Sequence, residues 1–159
     1  MNEHPRPSHR GVIHGGNMTR SERPYRKILL PVDGSESAQN AMRTGLELAR
    51  LFGAEVTALS VVDITTFSHN AQGYMLPDLY VYADKAAEAS VMEAVKEGES
   101  MGVRVKGLVS RGSPSQEIIE RSAEHDLIVM GTHGRSGASH ALIGSVAEKV
   151  VRVASCPVM

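Results

Sequence analysis

Residues 27–35 have the sequence KILLPVDGS, a short apolar run that ends in a polar turn. The run from Ile28 to Val32 is nearly continuous, which is typical of a strand buried on both faces of a parallel sheet. The turn residues Asp33, Gly34 and Ser35 interrupt it, and a helical pattern begins directly behind them. The stretch therefore predicts a buried strand that leads into a helix.

The helix behind this turn shows its buried face through spacing. Apolar and small residues recur at steps of three and four positions, as on one face of an amphipathic helix: Ala38, Ala41, Met42, Gly45, Leu48, Ala49 and Phe52. Gly53 is expected to close the helix at the C′ position, where a left-handed backbone favours glycine.

Strands and helices continue to alternate towards the C-terminus. We predict a second strand over 55–62, a long helix from Tyr80 to Met101 and a third strand over 103–109. The polar connection 63–78 is too long for a simple turn and is expected to lie near a site.

The last third of the chain repeats the pattern. Ser113 suits the N-cap of a helix, Pro114 suits its first position, and Gln116 is expected to complete a capping box. A fourth strand over 127–130, a helix over 145–154 and a fifth strand that begins at Cys156 follow. This alternation predicts a parallel α/β sheet with helices on both faces. Ligands of such sheets bind beyond the carboxyl ends of the strands, here after strands one and four.

The composition excludes several classes of protein. The 159 residues suit one domain, and a net charge of −1 argues against a protein that binds a nucleic-acid backbone. The single cysteine, Cys156, excludes an internal disulfide and a cysteine-based zinc site, and it is expected to be a small buried apolar residue. No apolar run reaches the ~20 residues that span a bilayer, so we expect a soluble protein of a reducing compartment, the cytoplasm.

The first 23 residues differ from the rest in composition. They are rich in Arg, His, Pro and Gly and have almost no apolar periodicity, which predicts a disordered tail before a domain over 24–159. His4, His9 and His14 are spaced by five, a pattern that suits metal binding. Scattered histidines in a flexible tail are the preferred interpretation, and no metal site is predicted.

A glycine-rich segment follows the fourth strand. Gly131, Gly134, Gly144 and Ser145 stand in the pattern G-x2-G-x9-G-S, which is neither a P-loop nor a dinucleotide-binding fingerprint. Glycines let backbone N–H groups approach phosphate oxygens, Ser145 opens a helix that favours an anion, and Arg135 adds positive charge. The alternative is a flexible surface loop in which the glycines only form turns; His140 is interpreted as structural or exposed to solvent.

Three motifs in the same order carry a family resemblance. The end of strand one (28–35), the glycine pattern and the terminal residues ASCPV (154–158) resemble the universal stress protein family, over about Tyr25 to Met159. The resemblance implies a single-domain, three-layer α/β/α sandwich with a five-stranded parallel sheet of the Rossmann-like, adenine-nucleotide α-hydrolase-like type. The glycine pattern is similar to that of the family's ATP-binding branch.

The resemblance also implies a set of site residues. Pro31, Val32 and Asp33 would border the adenosine, and Val61 would face the adenine through its backbone. Met130 and Gly131 would lie along the ribose. The residues around the phosphates would be His133, Gly134, Arg135, Gly144, Ser145 and Val146.

The function that this resemblance implies is a cytoplasmic, ATP-binding regulator of the stress response, with Mg²⁺ or Mn²⁺ beside the nucleotide. Asp33 would contact the nucleoside or a cation; alternatively, it is an Asx-turn residue that caps the first helix. The glycine segment holds no evident water-activating carboxylate, so ATP hydrolysis is expected to be slow at most. The alternative function is a protein-interaction module that binds AMP or another adenine ligand.

The family is usually dimeric, so the resemblance implies a homodimer. The family's fifth strand normally continues several residues beyond its Pro-Val pair, and dimers commonly pair through it. The sequence departs from that pattern after Pro157 and Val158, so it does not decide whether two protomers pair through this strand.

Overall fold

The computed structural model describes residues 24–65, 77–133 and 143–159. In these ranges four strands alternate with four helices. The strands are β1 (Lys27–Pro31), β2 (Glu55–Asp63), β3 (Val105–Gly112) and β4 (Leu127–Ile128). The helices are α1 (Glu36–Phe52), α2 (Pro77–Ser100), α3 (Pro114–Ser122) and α4 (Ser145–Val153). The predicted tail over 1–23 and most of the connection 63–78 lie outside the described residues.

The four strands form one parallel sheet in the order β3-β2-β1-β4. Ile28 of β1 stands beside Val56 of β2 on one side and beside Leu127 of β4 on the other. Along the chain, β2 and then β3 thus follow on one side of β1, and β4 lies on its other side. The order of the strands reverses between β1 and β4, which opens a crevice at their carboxyl ends.

β1 is buried on both faces, as its apolar run predicts. Ile28 and Leu30 pack with Met42 of α1, whereas Leu29 belongs to a second core with Val150 of α4. The three β1 side chains are completely buried. Burial of each contributes about 1.5–3 kcal/mol, and the two cores make β1 the centre of a three-layer α/β/α structure.

α1 begins and ends where its sequence indicates. The Ser35 side chain accepts a hydrogen bond of 3.2 Å from the Ala38 N–H, which satisfies one of the unpaired donors of the first turn. Gly53 follows the last turn with a φ of 63°, and its N–H donates to the carbonyl oxygen of Ala49. The predicted C′ glycine is confirmed, and the cap is the Ser35 side chain, which the sequence indicated only as a turn residue.

The prediction of five strands is wrong for the described residues, which form four. Val158 makes one isolated parallel bridge with Ile128 instead of a ladder. Before this segment, the Ser155 N–H donates to the Ser122 hydroxyl of α3 at 2.8 Å. The backbone hydrogen bonds with β4 and its exit come from Pro157 and Met159. Contact with β4 is therefore limited to the last residues of the segment.

Two other strand boundaries also differ from the prediction. β4 covers residues 127–128 instead of 127–130, although the Val129 N–H still donates to the Leu29 carbonyl oxygen. β3 lies two residues later than predicted and runs to Gly112, in register with Asp63 at the end of β2. Both shifts lie at strand ends, where the apolar pattern fades gradually.

The capping box predicted at the start of α3 is absent from the structure. Ser113 is the N-cap and Pro114 the first helical residue, but the Ser113 hydroxyl lies 3.3 Å from the Ser115 hydroxyl and makes no cap hydrogen bond. The Gln116 amide donates to the Glu120 carboxylate along the helix at 3.1 Å. Ser113 is thus paired with Ser115 and Gln116 with Glu120, and the capping box does not form.

The helices of the described ranges do not have the length and apolar content that a membrane span requires. The longest, α2, has 24 residues and carries charged side chains along its length.

Gly45 tests the packing between α1 and β1. Alanine normally stabilises a helix interior by up to ~1 kcal/mol relative to glycine. Here a Cβ at position 45 would collide with Cδ2 of Leu30, which is completely buried. We expect Gly45→Ala to lower the free energy of unfolding by about 1–3 kcal/mol in urea denaturation. The matched control is Asn40→Ala on the exposed face of α1, which should leave stability equal or slightly higher. A Gly45→Ala protein more stable than the parent would contradict this packing.

Candidate functional site

A cavity of about 560 Å³ opens at the carboxyl ends of the strands, where the strand order reverses. The ends of β1 and β2, the exit of β4 and residues from all four helices form its walls. Its volume lies within the range of sites that hold small molecules. The position agrees with the general rule for open parallel sheets.

Ten of the twelve site residues expected from the sequence line this one cavity. They are Pro31, Val32, Asp33, Val61, Met130, Gly131, His133, Gly144, Ser145 and Val146. The other two, Gly134 and Arg135, lie outside the described residues. The structure thus brings the described members of the set together, and their contact with a ligand stays a prediction.

The cavity also contains residues that the sequence analysis missed: Ala38, Leu59, Val62, Asp63, Ala83, Ala87, Pro114, Ile118, Thr132 and Ala147. One of them, Asp63, could have been identified from the sequence, because it ends β2 much as Asp33 follows β1. Most of the others are apolar residues with the spacing of ordinary core positions, so the sequence alone does not separate them from the core.

Gly131 brings the exit of β4 against the first turn of α1. A Cβ at this position would lie 2.6 Å from the Ser37 hydroxyl oxygen, 2.7 Å from the Ser37 carbonyl carbon and 2.8 Å from the Ala38 nitrogen. Real Cβ atoms do not approach backbone this closely, so only glycine fits. The floor of the cavity depends on this contact.

The N-terminus of α4 presents backbone donors to the cavity. Its N-cap is Gly144, which offers no side chain to accept from the first turn. The Gly144 N–H itself donates to the Thr132 carbonyl oxygen at 2.7 Å. The N–H groups of residues 145–147 are the next donors of this turn, and these three residues line the cavity. An anion is the natural partner for such a helix end.

His133 stands beside this helix end with one ring nitrogen engaged. Nδ1 lies 2.9 Å from the Thr132 hydroxyl oxygen. Nε2 is buried and has no hydrogen-bond partner within the described part of the chain. A buried polar atom without a partner is costly, so this nitrogen is suited to a polar group of a ligand.

Two carboxylates lie at the ends of neighbouring strands. Asp33 Oδ1 accepts from the Ser35 N–H at 2.9 Å, an Asx turn. Asp63 Oδ1 accepts from both the N–H and the hydroxyl of Thr65, at 2.9 and 2.6 Å. The turn interpretation of Asp33 therefore describes its local geometry, while the α1 cap itself is supplied by Ser35. A role of Asp33 towards a ligand stays a prediction.

The two ends of the cavity differ in chemistry. On the β4 side are His133 and the donors of α4, whereas Val61, Asp63 and Ala83 lie on the β2 side. β2 and β4 flank β1, so the two ends are separated by two strand spacings, roughly 10 Å. The cavity suits an elongated molecule with an anionic end and an apolar or ring-shaped end.

Comparison with known proteins assigns the chain to a family. The model of the universal stress protein family matches residues 24–159. The chain belongs to the universal stress protein family. Universal stress protein MJ0531 of Methanocaldococcus jannaschii is 37% identical over 141 residues, which are 87% of this chain and 82% of that relative.

Solved structures of the universal stress protein fold superimpose on the chain. Protein MJ0577 of Methanocaldococcus jannaschii is 31% identical with a TM-score of 0.73, over 85% of this chain and 94% of that one. A universal stress protein family member from Arabidopsis thaliana, solved with AMP bound, is 20% identical with a TM-score of 0.62, over 84% and 89% of the two chains. The second likeness shows the fold alone. The family resemblance is thus confirmed, together with the Rossmann-like α/β fold.

Cys156 lies outside the cavity of this universal stress protein. It is half-buried and packs against the core around Leu29 and Ile128. Burial raises the pKa of the Cys156 thiol, and the negative charge of Asp126 raises it further. A raised pKa lowers the thiolate fraction at neutral pH, so the residue is suited to a packing role.

The two glycines of the cavity give a testable difference in stability. Gly131→Ala places a methyl group against α1 backbone, whereas a Cβ at Gly144 would meet the Thr132 carbonyl oxygen at a more tolerable 3.1 Å. We expect Gly131→Ala to lower the free energy of unfolding by about 3 kcal/mol, and Gly144→Ala by about 1 kcal/mol or less. Urea denaturation of the three proteins measures both values. Equal stability of Gly131→Ala and the parent would show that β4 and α1 are not in contact here.

Proposed function

We propose that this universal stress protein binds ATP in the cavity at the β1–β4 crevice and regulates the stress response according to the nucleotide it holds. The supporting observation is the difference between the cavity's two ends: backbone donors of α4 at one, and mainly apolar side chains together with Asp63 about two strand spacings away. The domain that carries this function spans residues 24–159.

The phosphates belong at the β4 end in this proposal. The first-turn N–H groups of α4 donate to phosphate oxygens, and the helix dipole stabilises their charge. The absence of a side chain at Gly144 leaves room for this approach, and His133 Nε2 gains a partner. Gly134 and Arg135 continue the same motif and are proposed to complete the phosphate end.

The adenosine belongs at the β1 and β2 end. Pro31 and Val32 would border it, with the Val61 backbone facing the adenine and Met130 and Gly131 along the ribose. These residues line the same cavity. The AMP-bound Arabidopsis thaliana structure supports the idea that the fold can accommodate an adenine nucleotide, whereas the case for this chain depends on its own residues.

A divalent cation fits this site as a companion of the phosphates. In the described residues no group of three His, Cys, Asp or Glu side chains could hold a metal ion. Mg²⁺ usually binds through one or two carboxylates together with substrate phosphates, and Asp33 is the residue proposed to supply one. When bound, Mg²⁺ or Mn²⁺ would neutralise charge on the phosphates.

Hydrolysis is expected to be slow at most. Fast phosphoryl transfer requires a group that orients the attacking water. The cavity carboxylates, Asp33 and Asp63, each accept hydrogen bonds in a local turn. A holding role for the nucleotide suits this arrangement better than rapid turnover.

A second candidate function is an interaction module that holds AMP without hydrolysis. The described cavity lining has no Lys or Arg side chain and carries two Asp residues. This balance favours a ligand with less negative charge than a triphosphate. The choice between the two functions depends on how much positive charge Arg135 adds.

We further propose a homodimer that works in the cytoplasm, as the family resemblance implies. Three apolar residues near the C-terminal end of the described chain, Val151, Val153 and Met159, are exposed at 60%, 56% and 58%. A second protomer would cover them. Sedimentation of the full chain at twice the monomer mass supports this assembly, and a monomer at micromolar concentration contradicts it.

Calorimetry distinguishes the two candidate functions. ATP is titrated into the full chain with and without Mg²⁺, and AMP serves as the comparison ligand. Tighter binding of ATP than AMP, strengthened by Mg²⁺, is the result expected for an ATP-dependent regulator. Tighter binding of AMP and no effect of Mg²⁺ would favour the interaction module, and binding of neither nucleotide would contradict both.

Ser145 tests the phosphate end. Ser145→Ala removes the hydroxyl at the start of α4 but keeps the backbone donors. A hydrogen bond to a charged group contributes about 1.5–3 kcal/mol, so ATP affinity should fall about tenfold or more, while adenosine affinity stays constant. The control is Ser100→Ala, an exposed serine at the end of α2. Equal losses for ATP and adenosine would place the phosphates elsewhere.

A further inference from the structure

The wall that α2 contributes to the cavity consists of very small side chains. Ala83 and Ala87 lie one turn apart and line the cavity. Further along the same face, Gly98 lies against Val105, whose Cγ2 a Cβ at Gly98 would strike. α2 thus lies close to the sheet along its length, and its first part faces the ligand space instead of the core.

One ion pair and one close approach locate this part of α2 against the sheet. Asp84 accepts two hydrogen bonds from Arg111 of β3, at 3.1 Å to Nε and 2.7 Å to Nη2. The Arg111 guanidinium also lowers the pKa of the Asp84 carboxyl, so the pair is charged at neutral pH. On the other side, Ser90 approaches Gly34, where a Cβ would lie 3.2 Å from the Ser90 hydroxyl oxygen. Ala87 stands midway between these contacts, three residues from each.

The same contacts locate the alanines relative to the sheet. Arg111 is paired with Val62 near the carboxyl end of β2, and Gly34 belongs to the turn after β1. Ala83 and Ala87 therefore lie over the ends of β1 and β2, at the apolar end of the cavity. This is the end where the proposed function places the ring of the nucleotide.

We propose that Ala83 and Ala87 set the width of the ring-binding end, so that their small side chains are what admits the nucleoside base of the ligand. The inference rests on the proposed function, because it concerns the same site. α2 is tied to β3 by an ion pair on one side of Ala87 and lies close to Gly34 on the other. A larger side chain at these positions therefore projects into the space for the ring, and the phosphate end at α4 is unaffected.

The test compares two leucine substitutions on α2. Ala83→Leu adds three carbon atoms at a half-buried position of the wall, and Ala89→Leu adds the same atoms on the exposed outer face of the helix. Each full-length protein is titrated calorimetrically with ATP and with inorganic triphosphate, and thermal unfolding verifies its fold. Ala83→Leu should lose at least tenfold in ATP affinity and keep its triphosphate affinity, whereas Ala89→Leu should match the parent for both ligands.

Each outcome has a distinct meaning. Parental ATP affinity in a folded Ala83→Leu protein overturns the inference and leaves the proposed function intact. Equal losses for ATP and triphosphate also overturn it, because α2 would then have moved as a whole. A parent that binds no ATP rejects the proposed function and this inference with it.

Two further readouts keep the test decisive. Ala83→Val adds two carbon atoms and replaces the leucine variant if that protein does not fold; a smaller loss of ATP affinity is expected. If triphosphate binds none of the proteins measurably, the ATP affinities of the two folded α2 variants decide the question.

Discussion

Gly131 allows the exit of β4 to lie directly on the first turn of α1, and the cavity takes its shape from that contact. The Ser37 and Ala38 backbone occupies the space that any side chain at this position would need. β4 can therefore stay beside β1 while the chain beyond it turns away, which opens the crevice where the strand order reverses. Fold and site share this constraint, so a substitution here affects the core and the ligand space together.

Local signals made the first half of the fold predictable. The apolar run of β1 and Gly53 at the end of α1 are each determined by neighbours in sequence, and both are found in the structure. The predicted fifth strand is reduced to one bridge between Val158 and Ile128, with backbone hydrogen bonds from its last residues. The extent of such pairing depends on a neighbouring strand about 30 residues away, which patterns within one segment do not contain.

The site was predictable where its residues are unusual for a core. Glycines, a histidine and a carboxylate after an apolar strand stand out, and the described members of the predicted set lie in one cavity. Ala83 and Ala87 do not stand out, because alanines at helical spacing indicate a buried face in any protein. Their position over the ligand space depends on the Asp84–Arg111 pair, which joins residues 27 apart in sequence. The polar residues of the α4 end of the cavity could thus be predicted, and the shape of the β2 end required the structure.

The orientation of the nucleotide is the central claim, and amide chemical shifts test it most directly. ¹⁵N-labelled full-length protein is titrated with inorganic triphosphate and, separately, with ATP. This orientation predicts that both ligands shift the amide signals of residues 145–147 at the start of α4, and that only ATP shifts the amide signals of Val61 and Ala83. Shifts of Val61 and Ala83 with triphosphate, or an ATP complex in which the amides of 145–147 do not move, would contradict it.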